Sequence, residues 1–226
     1  MATKSFGVTT AEQEPTAELT TYADPAPAFA SSDIDIPRLS VVQKMSELDI
    51  DAPIGSIILN KEHVLYRTGI KVPAVILFAQ KYWKEDIPFD SDEIPQFAST
   101  QAEADAIASQ NGPDGYSVIT GANIALLIAK TADSEAGSDD AFPFEFDGRQ
   151  YALGKITVQK KSYDTTFKAL ASFQLFNPKT DPTSIHWNLS SFGVSKGKYN
   201  WHVPSLSPTK DLVGPEALEF ATRIKG

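Results

Sequence analysis

A mainly β protein, a barrel or a sandwich, is what this sequence predicts, and two observations carry the prediction. Short apolar stretches rich in β-branched residues recur between turn formers from Ile54 to Leu206. In one of them Leu153, Lys155, Thr157 and Gln159 alternate with Gly154, Ile156, Val158 and Lys160, the period of two expected of a strand. The chain has 226 residues, 42% of them hydrophobic, with 13 Phe, 7 Tyr and 3 Trp. That content suffices for a buried core and excludes wholesale disorder.

The first 32 residues are rich in Ala, Thr, Glu and Pro without an apolar period, and read as a flexible, disordered, acidic and polar tail; residues 33–226 read as a single β-rich domain. Ile34 to Leu48 is an extended lead-in. GSIILN, HVLYRTG and IKVPAVILFAQKYWKED are three strand candidates from residue 55 onward. Between Pro95 and Gln110 a helix is expected, with Ser99 or Thr100 able to cap it, Glu103 three residues after Thr100 as in a capping box, and Asn111, Gly112 and Pro113 ending it. Strands follow at Tyr116 to Thr120 and at Ala122 to Lys130, the second taken as a strand although its length fits a helix too. TADSEAGSDD at 131–140 reads as a flexible acidic loop. FPFEF, RQYALGKITVQKK, SIHWNLSSFGVS and KYNWHVPSL are further strand candidates, whereas Thr165 to Phe176 fits strand or helix, since Phe167, Leu170, Ala171 and Gln174 keep a helical period. Gly214 and Pro215 open a last short helix, with proline in its first turn. The expected protein is thus mainly β with one or two helices.

The net charge of −9 argues at first against nucleic acid, because phosphate contacts need lysine and arginine. The total hides an asymmetry: 10 basic and 24 acidic residues precede Gln150, a balance of −14, and 10 basic and 5 acidic residues follow from it, a balance of +5. The basic part interleaves lysines with aromatic rings, the combination that single-stranded nucleic acid binding requires: cations for the backbone and flat faces for unstacked bases. The competing explanation is that the rings fill a sheet core while the lysines form its solvated face.

Other chemistry lacks a residue set. There is no cysteine, so thiolate metal sites, disulfides and cysteine nucleophiles are excluded. His63, His186 and His202 stand in no ligand spacing, and beside the last two, Trp187 and Trp201 fall on the opposite strand face. Asp86, Asp90, Asp92 and Glu93 surround Pro88 and Pro95 as a solvated loop would. Phosphate-binding glycine loops and nucleophile elbows are absent. We expect no enzyme activity, no cofactor and no metal. No apolar run reaches the roughly 18 residues of a membrane helix, so no membrane partner and a soluble intracellular location are expected.

Three lysine-aromatic clusters remain. FAQKYWKED offers Lys81, Tyr82 and Trp83; VQKKSYDTTFK offers Lys160, Lys161 and Tyr163; and SSFGVSKGKYNWHVPSL offers Lys196, Lys198, Tyr199 and Trp201 about a hairpin turn containing Gly193, Ser195 and Gly197. These ten residues are the expected nucleic-acid-binding set.

The order of IPRLSVVQKMSE, GSIILN, VPAVILFAQKYWKED, FASTQAEADA and WNLSSFGVSKGKYNWHVPSL resembles a group of single-stranded DNA-binding proteins of tailed phages. The resemblance implies an OB-fold-like barrel and sequence-independent binding of single-stranded DNA in phage replication or recombination, inside the bacterial host's cytoplasm. It also implies replication or recombination proteins as partners, with a homo-oligomer left open. Some members carry a cysteine-rich insertion where this chain is acidic, and some end in an acidic, aromatic-tipped tail where this chain ends EALEFATRIKG. The alternative expectation is a phage virion or assembly protein that uses its tail for subunit contacts.

Overall fold

The structure, a computed structural model, describes residues 35–88, 90–135 and 138–225; the tail expected at 1–32 lies outside them. β6 (Val118–Ala129) runs through the middle of the sheet and is apolar on both faces. Ile124, Leu126 and Ile128 point to one side, Ala125, Leu127 and Ala129 to the other, which is why the sequence there reads as an unbroken apolar run. The two strands expected at 116–120 and 122–130 are this one strand, continuous through Gly121.

β4 (Val72–Glu85) flanks β6 on one side and β8 (Arg149–Gln159) on the other, both antiparallel to it. Beyond β4 lies the hairpin of β9 (Ile185–Lys196) and β10 (Tyr199–Leu212). Beyond β8 come β1 (Arg38–Val41), β2 (Ile57–Leu59) and β3 (His63–Tyr66), and β1 pairs with β8 in parallel. Short strands β5 (Phe97–Ala98) and β7 (Phe144–Phe146) extend β4 and β8. The resulting sheet order is β10-β9-β4-β6-β8-β1-β2-β3. This is the mainly β, OB-like barrel that the sequence and its resemblance led us to expect.

The sheet curls until its ends meet through side-chain and backbone hydrogen bonds. Gln43, just past β1, donates from Nε2 to the His202 carbonyl at 2.8 Å and accepts at Oε1 from the His202 N–H at 2.9 Å, so one amide stands in for a strand along β10. Gly69 N–H donates to the Ser191 carbonyl at 3.2 Å, and the Ser191 hydroxyl donates to the Gly55 carbonyl. The concave core contains Leu39, Ile57, Leu65, Tyr66, Ile76, Ile124, Leu126, Trp187 and Leu206.

Four α-helices occur among the described residues. α1 (Gln101–Asn111) has the expected capping box, with Glu103 N–H donating to Thr100 Oγ1 and Thr100 N–H to the Glu103 carboxylate, and it ends at Gly112 with φ 65°. α4 (Pro215–Lys225) starts on proline and lays Ala217, Leu218 and Ala221 over Val75, Leu77 and Leu127 on the convex face. Two more helices resolve the ambiguous stretch: α2 (Lys160–Thr165) and α3 (Phe167–Phe176), whose Phe167, Leu170 and Phe173 seal the concave core. Strand alternation therefore ends at Gln159, one residue before the Lys160 that continues it in the sequence pattern. In the acidic loop two of the four carboxylates are paired: Glu135 bidentately with Arg67, and Asp139 with Lys130 Nζ at 2.8 Å.

Candidate nucleic-acid interface

Strand alternation divides the first cluster between the two faces of β4. Lys81 and Trp83 lie on the concave side, opposite Ala122 and Thr120. Lys81 Nζ sits 4.4 Å from the Trp83 ring centre, and the ring packs with Ala98, Ala104 and Ile107 beneath α1. Tyr82 takes the convex side, its ring laid across Gly121, where a Cβ would collide with it. Its hydroxyl accepts from Gln159 Nε2 at 2.7 Å. Burial raises the phenol above its ordinary value, and the Gln159 bond opposes that shift.

The second cluster is helical, which changes what its ring can do. Lys160 turns the chain from β8 into α2 with φ 49°, a left-handed conformation seldom adopted by a lysine. Its Nζ reaches Asp86 Oδ1 at 2.8 Å. Lys161 is exposed. One turn apart, Tyr163 and Phe167 stack with centroids 5.0 Å apart, and both pack on the concave core. Tyr163 is thus half-buried, packed against the core because a helix turns it inward. Trp83 is likewise half covered.

The third cluster is the most open. Its turn is tighter than the sequence suggested: Gly193 and Ser195 are within β9, and only Gly197 and Lys198 lie between the paired ends Lys196 and Tyr199. Gly197 has φ 60°, which a two-residue turn of this kind needs at its first position. Register then builds one convex file: Lys196 faces Tyr199, Val194 faces Trp201, and Phe192 faces Val203. Tyr199 is 65% exposed and Phe192 40%, with Trp201 half-buried between them. Lys198 Nζ lies 5.4 Å from the Tyr199 ring centre. Phe192 was missing from the expected set, yet counting by twos from Lys196 finds it.

α2 links the clusters. Its first residue is tied to the end of β4 through Asp86, and near its last turn Thr165 Oγ1 donates to the Pro204 carbonyl of β10 at 2.6 Å. Lys160 and Lys161 thus stand at the Asp86 end of α2, whose other end meets β10 at Pro204. The histidines stay apart, on β3, β9 and β10, and among the described residues no group of three His, Asp or Glu side chains is arranged to hold a metal ion. No helix among the described residues is long and apolar enough to cross a membrane. No protein-family model, curated protein or solved structure matches the chain.

Proposed function

We propose that this protein binds single-stranded DNA without sequence preference, through aromatic stacking and lysine-phosphate contacts centred on the β9–β10 hairpin. The observation that carries the reading is the convex file of Phe192, Trp201 and Tyr199 with Lys196 and Lys198 at its tip. Two exposed rings and a half-buried one on a strand pair offer base-sized faces, and the adjacent cations meet the backbone; each stacked base is worth about 1–3 kcal/mol. Lys160 and Lys161 on α2 extend the positive surface, and Tyr82 adds a ring on the convex sheet. Sequence independence follows from the chemistry, since every base has a π-face. A place in phage replication or recombination, with proteins of those processes as partners, follows from the family that the motifs resemble.

The test is retardation and anisotropy of labelled oligonucleotides of a few tens of nucleotides at two salt concentrations. Removing Lys196 and Lys198 together should weaken binding and lower the salt slope by about 1.4, at roughly 0.7 per phosphate contact on a single strand. Tyr199→Ala should cost about 1–3 kcal/mol at every salt concentration. Failure of the intact protein to retard any such oligonucleotide at low salt would refute the reading.

A further inference from the structure

The convex face of the sheet is polar where α4 ends. The apolar cluster under α4 contains Val75, Leu77, Phe78, Ala125, Leu127 and Tyr151, and the rows beyond Phe78–Ala125–Lys155 are Gln80–Asn123–Thr157 and Tyr82–Gly121–Gln159. A sheet face with no second layer above it is expected to be polar, so polarity alone decides nothing. The charges are more informative. At the convex positions of this region stand Lys84 on β4, Lys155 on β8 and Arg38 opposite Lys155 on β1. No carboxylate occupies a convex position from Phe78 to Lys84, from Ile119 to Ala125 or from Leu153 to Gln159, although the chain before Gln150 has 24 of them.

Rings are present as well. Phe97, paired with Lys84 on β5, is 63% exposed, a costly placement for an isolated phenylalanine, and its centroid lies 6.0 Å from that of Tyr82. Tyr82 is fixed flat by Gly121 beneath it and Gln159 at its hydroxyl. At the opposite side a cavity of about 420 Å³ is lined by Arg38, Asn60, Lys155 and Thr157, with Asp35 sharing the lining. A cleft of about 180 Å³ then leads from Arg38 and Thr157 past Ser162 of α2 to His202 and Pro204 of β10.

We infer that this face is a second contact surface for the same strand of DNA, with Phe97 and Tyr82 stacking bases and Arg38 and Lys155 holding phosphates. The inference rests on the proposed function and adds a route: from the hairpin, through the cleft at the β1–β10 seam, across β8 and β6 to β5. Neutral amides beside two rings would also suit a saccharide, but three cations against the single carboxylate of Asp35 favour a polyanion. From β4 to β1 the face spans about 14 Å, three strand spacings.

Anisotropy with oligo(dT) of about 8 and about 30 nucleotides, lengths chosen to fill one site or both, separates the two surfaces. Phe97→Ala and the double variant Arg38→Gln/Lys155→Gln should bind the long oligonucleotide about tenfold more weakly and the short one as the intact protein does. Lys196→Ala/Lys198→Ala should weaken both. Ultraviolet crosslinking of the long oligonucleotide to the intact protein should label Tyr82 or Phe97, a readout that needs no variant to fold. Unchanged long-oligonucleotide affinity in both face variants, or crosslinks confined to the hairpin, would overturn the second surface and leave the hairpin reading standing. Absence of binding by the intact protein at either length removes both.

Discussion

His186 shows how one strand position sets a pH response. It is 8% exposed on β9, its Nδ1 has no hydrogen-bond partner, and burial lowers its pKa from the ordinary 6.5, helped by Arg149 and opposed by Asp211 and Asp147. The native state thus holds a neutral imidazole, while the unfolded chain takes up the proton first as the pH falls through about 6.5. Stability is fully retained above that value and lost progressively below it. The carboxylates held low titrate later: Glu103 by the Ser99 and Thr100 N–H groups, and Glu135 by Arg67, both lowered from 4.5. Between pH 6.5 and 5 the histidine should therefore dominate. Thermal melting across that window should show a falling Tm that His186→Gln flattens; parallel curves for the two proteins would contradict this account.

Among the elements, those whose signals are local agree with their sequence. The capping box of α1, the proline start of α4, the double-sided apolar run of β6 and the alternation of β8 all depend on residues a few positions apart. The α1 cap also gives a measurable expectation: Thr100→Ala removes the acceptor of the Glu103 N–H and should lower stability by about 1 kcal/mol in denaturant melts. The DNA affinity proposed for the hairpin should stay unchanged, since α1 packs against Trp83 of β4 and Val118 of β6. Thr165 to Phe176 was not legible in the same way, because its apolar spacing serves a strand as well as a helix. The decision comes from the open concave core, which Phe167, Leu170 and Phe173 close against Trp187, with Phe173 edge-on to that ring at 5.2 Å. For the same reason the expected site was legible in its residue types more than in its geometry. Reading by twos identifies the hairpin file, but Tyr163 turns inward because a helix begins at Lys160.

Closure of the whole barrel was beyond the sequence, since its seam joins residues 159 apart through one side-chain amide. The seam also protects an edge. In an antiparallel ladder the N–H and C=O of a residue point to the same side, so the pairing of His202 with Gln43 shows that His202 faces away from β9. Pro204 and Pro208 share its parity and offer no N–H there, and the Pro204 carbonyl is taken by Thr165. At the other end of the sheet the Glu135 N–H bonds the Leu65 carbonyl of β3. Strand addition between copies is thus obstructed at both edges, and assembly on that principle is disfavoured. Gln43→Ala should open one of them. Three hydrogen bonds are lost, two to His202 and one to the Val41 carbonyl, and the His202 peptide is bared, a cost of about 1–3 kcal/mol. Amide exchange at His202 should quicken, and sedimentation should reveal association that grows with concentration. Gln43→Glu keeps an acceptor for the His202 N–H but has no donor for its carbonyl, so it should fall between the two. Unchanged exchange at His202 in both variants would mean that packing of α2 against β10, rather than the Gln43 amide, holds the barrel shut.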